Sequence, residues 1–149
     1  MKILILGAGR VGSSLASTLS KQDYEVSIVD LNKDKLLRLQ EDYDLATEIG
    51  HASHPDTLQR AGADQNTILL AVTNSDECNI TSCQIAKSKF NVKKTICRLS
   101  DASYLESLEA FGEKNIDIAI GPENEVTEHL VDLIKHPGAE QIESFANGS

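Results

Sequence analysis

The sequence predicts an α/β fold, a doubly wound parallel sheet of about six strands with helices on both faces. Three observations predict it. Short apolar runs alternate with segments of helical period from one end to the other. The first run, Lys2–Leu6, stops at a glycine, as a strand buried on both faces does. Aromatic residues make up only 4% and Trp is absent, against 40% apolar residues. The core therefore rests on Ile, Leu, Val and Ala, the usual filling of a helix-covered parallel sheet. At 149 residues the chain suits one compact domain with a short tail.

The elements follow in order. After the first strand, Val11, Leu15, Ala16 and Leu19 share one face of a helix over Arg10–Lys21. EVSIVD, Glu25–Asp30, is the second strand. Asn32 caps a helix to Asp42 that carries Leu36 and Leu39, with Tyr43 in phase beyond its end. Ala46–Ile49 is a short strand that ends at Gly50, and Pro55 opens a helix through Arg60 that Gly62 stops. Thr67–Thr73, TILLAVT, is the most apolar strand and belongs at the centre. Ser75 or Asp76 caps a helix to about Lys89, and Thr95–Leu99 is the fifth strand. Tyr104, Leu105, Leu108 and Phe111 mark the next helix, and Asp117–Ile120 a sixth strand before Gly121-Pro122. A last helix, Glu123–Lys135, aligns Val126, Leu130, Val131 and Ile134. The nucleotide fold is expected over residues 1–136, with 137–149 a tail or linker. Strands alternating with helices in this way require right-handed crossovers.

The formal charge of −9 argues against general nucleic-acid binding, which needs clustered Lys and Arg. Cys78, Cys83 and Cys97 are odd in number and lack CxxC spacing, so buried reduced thiols are expected rather than disulfides or a zinc ribbon. The first apolar run is too short for a signal peptide or a membrane span, which predicts a cytosolic protein.

The loop Gly7-Ala8-Gly9-Arg10-Val11-Gly12 reads GxGxxG. Alone that pattern is weak; here it follows a strand, opens a helix, and is answered by an acid at the end of the next strand. Asp30 stands at the ~20-residue separation of the dinucleotide fingerprint, so the fold is of Rossmann type. Gly7 allows the tight turn, Gly9 lets the backbone approach phosphate, and Gly12 lets the helix pack against the strand. The helix N-terminus offers N–H groups to an anion, and Asp30 accepts from ribose hydroxyls. Gly7 and Gly12 also have GxxxxG spacing. Ser13-Ser14 then stand where an NTP-hydrolysing loop needs Lys and Ser or Thr. Asp30 argues against NADP, whose 2′-phosphate would meet a carboxylate; Lys33 and Lys35 soften the argument without reversing it.

A dehydrogenase also needs a proton donor and a substrate region. No Tyr-x-x-x-Lys pair is present: Ile28, Thr47 and Leu108 follow Tyr24, Tyr43 and Tyr104 by four residues. His51 and His54 fall at the ligand edge of the sheet and admit three readings: half a metal site, a general base, or loop contacts. Thr73-Asn74-Ser75 after the fourth strand and Arg98 near the end of the fifth lie on the same edge, where ligands bind in this architecture. Each has a plainer reading as a helix cap or a surface ion pair. A complete binding fingerprint without catalytic residues points to a nucleotide sensor. The alternative is a small NAD-dependent oxidoreductase or half of one.

KILILGAGRVGSSLA, VSIVD, GHASHPDTLQRAGAD, LLAVTNSDECNI and LIKHPGA together resemble the N-terminal nucleotide-binding domain of the TrkA family of potassium-uptake regulators. The wider class is the RCK, or KTN, domain. The resemblance implies a non-catalytic regulatory subunit at the cytosolic face of a potassium-translocating membrane protein of the TrkH/TrkG kind. It implies NAD(H) as the ligand, with ATP or ADP as the alternative. Carried onto this chain, it gives a phosphate loop of Gly7, Ala8, Gly9, Arg10 and Val11, a ribose ligand Asp30, and contacts from Thr73, Asn74 and Arg98. An arginine in the position of Arg10 reaches the terminal phosphate in ATP-binding relatives. It also implies a homodimer or larger ring, with the last helix packed or exchanged between subunits. Two departures stand out. Gly50-His51 replaces the Gly-Asp of many relatives, and the family's small C-terminal domain does not follow within these residues.

Overall fold

The computed structural model describes residues 1–111, 114–122 and 127–135. Twelve elements alternate: β1 Lys2–Leu6, α1 Arg10–Ser20, β2 Glu25–Asp30, α2 Lys33–Asp42, β3 Ala46–Ile49, α3 Pro55–Arg60, β4 Thr67–Ala71, α4 Asp76–Phe90, β5 Lys94–Arg98, α5 Ala102–Phe111, β6 Ile118–Ile120 and α6 Thr127–Lys135. The strands form one six-stranded sheet in the order β3-β2-β1-β4-β5-β6. Every pairing is parallel. The doubly wound sheet is therefore as the sequence reading has it.

Side-chain alternation along the strands divides the core between two faces. On β1, Ile3 and Ile5 join the cluster under α1, α2 and α6, with Leu15, Leu19, Leu36 and Leu130. Leu4 and Leu6 join the opposite cluster, with Leu58 of α3, Cys83 and Ala86 of α4, and Leu105 and Leu108 of α5 packed against it. Each such fully buried Leu or Ile contributes about 1.5–3 kcal/mol. β4 is buried throughout its length, as a central strand must be, and β3 at the edge has no buried residue.

Several boundaries moved by one or two residues; among them, β5 ends at Arg98 rather than Leu99 and β6 begins at Ile118 rather than Asp117. β4 ends at Ala71 because β1, its partner, ends at Leu6, so Thr73 lies in the loop beyond. β5 begins one residue early, at Lys94, whose buried ammonium donates to the carbonyl of Leu133 near the end of α6. α6 is described from Thr127, so Glu123–Val126 of the expected helix lie outside the described residues, as does the expected tail. Asn32 caps α2 by accepting from Lys35 N at 3.1 Å, and Ser75 caps α4 by accepting from Cys78 N at 3.1 Å. All three cysteines are free, with Cys83 and Cys97 buried and Cys78 half-buried. No helix among the described residues is long and apolar enough to cross a membrane.

Candidate functional site

The sheet order reverses direction between β1 and β4, and a crevice opens at the carboxyl ends of these strands. There the glycine loop turns from β1 into α1. Gly7 has φ +105°, and a Cβ on it would lie 3.0 Å from Thr73 Cα and 3.1 Å from the Val72 carbonyl oxygen. Only glycine fits both the left-handed backbone and the close approach. A Cβ on Gly12 would stand 1.7 Å from the Gly7 carbonyl oxygen, so the helix can sit this close to the loop only without one. Gly9 differs. A Cβ there would meet nothing within 4 Å, so the missing side chain leaves open space rather than serving internal packing. Gly9 is also the N-cap of α1, which takes no side-chain cap and has no acid in its first turn. The N-terminus of α1 thus keeps its positive dipole end for an anion.

Asp30 holds this loop. Its Oδ1 accepts from the N–H of Ala8 at 2.8 Å and its Oδ2 from the N–H of Asn32 at 2.8 Å. Each oxygen retains a lone pair for an outside donor. Ser13 Oγ donates to the Ala8 carbonyl at 3.0 Å, completing the clamp on the loop.

A cavity of about 570 Å³ spreads from the loop across the strand ends. Gly7 and Gly9 border it, with Asp30 at the end of β2, Leu31 just beyond it and Lys35 on α2. Gly50, His51, Ala52 and Ser53 follow β3, and Val72, Thr73, Asn74 and Ser75 follow β4. Glu77, Cys78 and Thr81 face it from α4. Of the residues singled out in the sequence, Gly7, Gly9, Asp30, Thr73 and Asn74 thus share one wall system. Ala8 is buried behind the loop, Gly12 is packed on Gly7, and buried Val11 belongs to the core under α1. Arg10 is exposed on the first turn of α1 and does not line the cavity. Arg98 does not line it either; its Nη1 donates to the Thr73 carbonyl at 3.0 Å, from behind the wall.

His51 and His54 stack with ring centroids 4.6 Å apart and planes 19° from parallel. His51 lines the cavity, and no cluster of three His, Cys, Asp or Glu suited to a metal occurs among the described residues. On the opposite wall, bonds from its own main-chain N–H and from Tyr104 Oη, at 2.9 Å, hold the Glu77 carboxyl below the ordinary carboxylate range. The same bond pushes the Tyr104 phenol upward. Glu77 and Asn79 are site residues that sequence reading missed. Asn79 is fully buried, with its amide bonded to Thr73 and to the Arg98 carbonyl.

With this geometry in place, the family model described as the TrkA-N domain matches residues 3–122. The chain belongs to the TrkA-N family. This TrkA-N domain is 46% identical over 149 residues to the Trk system potassium uptake protein TrkA of Vibrio alginolyticus, covering 98% of this chain and 32% of that relative. It therefore spans about a third of the length of the curated relatives it matches. Among solved structures, the Kef CTD of Shewanella denitrificans in its AMP-bound form superposes with a TM-score of 0.67 at 19% identity, covering 99% of this chain and 89% of that one. The GsuK channel bound to NAD superposes at 0.64 and 20% identity, covering 83% of this chain and 21% of that one. At such identities the structural likeness concerns the fold alone.

Proposed function

We propose that this domain is a non-catalytic nucleotide sensor that binds NAD(H) and regulates a potassium-translocating membrane protein of the TrkH/TrkG kind. The observation that carries the nucleotide reading is the uncapped N-terminus of α1, with Gly9 opening onto a cavity bordered by Asp30. In this reading the loop from Gly7 to Gly12, with Ala8, Gly9, Arg10 and Val11 between them, receives the phosphates through main-chain N–H groups. Asp30 takes the ribose hydroxyls on its free lone pairs. Thr73 and Asn74 add contacts from the end of β4, with Arg98 behind them.

The potassium role rests on membership in the TrkA-N family and on relatives named for potassium uptake. NAD is supported by the NAD-bound GsuK channel of like fold, and an adenine nucleotide in general by the AMP-bound Kef domain. Exposed Arg10 at the mouth of the loop favours ATP or ADP as the alternative, because a guanidinium there can meet a terminal phosphate. The domain works within residues 1–136 at the cytosolic face of the membrane, as part of a homodimer or larger ring. A nucleotide acts on the partner only if it binds the two arrangements of that assembly unequally.

Native mass spectrometry of the purified chain tests this directly. Retained NAD(H) or ATP/ADP and a dimeric or larger mass are expected. Loss of every nucleotide, with no thermal shift on adding NADH, NAD, ATP, ADP or AMP, would refute the sensor. Steady-state hydride transfer to a physiological substrate would instead establish an oxidoreductase.

A further inference from the structure

We infer that the main-chain N–H of Asn74 is a built hydrogen-bond donor of the cavity, aimed at a ribose or phosphate oxygen of the nucleotide by Asn79 and Arg98. The inference rests on the nucleotide reading above and deepens it: Asn79 and Arg98 are positioning residues, and neither lines the cavity.

Asn79, fully buried on α4, treats Thr73 as a neighbouring strand would. Its Oδ1 accepts from the Thr73 N–H at 3.0 Å, and its Nδ2 donates to the Thr73 carbonyl at 3.1 Å. Arg98 Nη1 donates to the same carbonyl at 3.0 Å. Two donors thus fix the direction of that oxygen, satisfying both of its lone pairs. Nδ2 of Asn79 also donates to the Arg98 carbonyl at 2.8 Å, tying the exit of β4 to the end of β5. The Thr73 hydroxyl, 2.7 Å from Asn79 Oδ1, adds a further restraint.

None of the described peptide bonds is cis, and in a planar trans peptide the carbonyl and the following N–H point in opposite directions. With the Thr73 carbonyl held toward Asn79 and Arg98, the Asn74 N–H is turned the other way. That way lies the glycine loop. One residue before Thr73, the Val72 N–H donates to the Leu6 carbonyl on the β1 side, and Gly7 packs against Thr73 Cα. Thr73 and Asn74 both line the cavity, so the aimed N–H faces the ligand space shared with Gly7 and Gly9. A guanidinium and a buried amide here do their work through one peptide.

Amide spectra of the uniformly ¹⁵N-labelled chain, recorded with and without NADH and with and without ADP, test this without any substitution. On saturation the Asn74 amide proton should move downfield together with Gly7 and Gly9. Movement of Gly7 and Gly9 with Asn74 unmoved overturns the inference and leaves the nucleotide reading standing. No movement of any cavity amide overturns both. As a second measurement, Asn79→Asp reverses the donors facing the two carbonyls at constant shape. It should weaken nucleotide binding about tenfold, the loss of one hydrogen bond to a charged group. Arg98→Lys, which keeps a donor, should be milder than Arg98→Met. Variants that melt earlier yet bind with unchanged affinity would reduce both residues to structural parts.

Discussion

The N–H of Ala8 donates to Asp30 Oδ1 at 2.8 Å, so the glycine loop and the acid at the end of β2 are one hydrogen-bonded unit. Asp30 therefore sets the loop's position before any ligand arrives, and its second oxygen is fixed in turn by Asn32.

This pairing makes Asp30 a test of cofactor choice. NADH should bind at least about tenfold more tightly than NADPH in calorimetry, because a 2′-phosphate would bring like charges together. Asp30→Asn should weaken NADH and narrow that gap. Equal affinities in the unsubstituted chain would remove the ribose role.

Gly9 and Gly12 should separate folding from binding. Gly12→Ala places a methyl group 1.7 Å from the Gly7 carbonyl oxygen and should destabilise by about 3 kcal/mol or more in urea unfolding. Gly9→Ala puts its methyl in open space at an ordinary extended backbone, so stability should change by less than about 1 kcal/mol. Nucleotide affinity should nevertheless fall, since that space is the approach to the loop.

Asp76 is buried at the start of α4 and accepts from the N–H groups of Ser100 and Asp101 at 2.9 Å each. Asp76→Asn substitutes an amide donor for one acceptor and should destabilise by about 1–3 kcal/mol. Hydrogen exchange should report it locally, with the Ser100 and Asp101 amides losing most protection.

Lys2 and Asp64 join the other end of the sheet at 2.7 Å. The hydrogen bond from Lys2 and one from the Asn66 N–H hold the Asp64 carboxyl below its ordinary 3.8. A depressed acid contributes stability above the unfolded value and loses it as pH falls through the folded one. Asp64→Asn should therefore destabilise by less than about 1 kcal/mol at neutral pH, given that both groups are partly exposed. The difference from the unsubstituted chain should start to shrink as the pH drops below 3.8 and vanish only under the lowered folded value, as followed by thermal melting.

Much of this architecture could be read from the residues because its determinants are local. Pro55 at the start of α3, Asn32 and Ser75 as caps, and the glycines each act within a few positions of the element they shape. Asp30 was legible because its spacing from the loop is a property of one strand–helix–strand unit. Asn79 was not, since an asparagine inside a helix carries no period or motif, and its partners arrive from β4 and β5 only after folding. Arg98 was placed at the right edge, but the residue it serves is Thr73, and no spacing encodes that choice. The packing role of Gly12 is legible from its place in the loop, while the Val11 side chain goes to the core under α1 and leaves only its main chain to the loop. His51 was legible as a residue beyond a strand end, whereas Glu77, Cys78 and Thr81 line the cavity from within α4, where no strand end marks them.

The pairing of β1 with β4 has a kinetic consequence. Lys2 meets Thr67 in register, so closing the central seam brings together residues 65 positions apart in the chain. Within the sheet, the half made of β1, β2 and β3 and the half made of β4, β5 and β6 touch along this seam alone. Such distant closure is slow and late compared with local pairing. The cavity opens over the same seam, from Gly7 on one half to Thr73 on the other. A molecule lodged there would touch both halves of the sheet at once, from Gly7 and Gly9 on one side to Thr73 and Asn74 on the other.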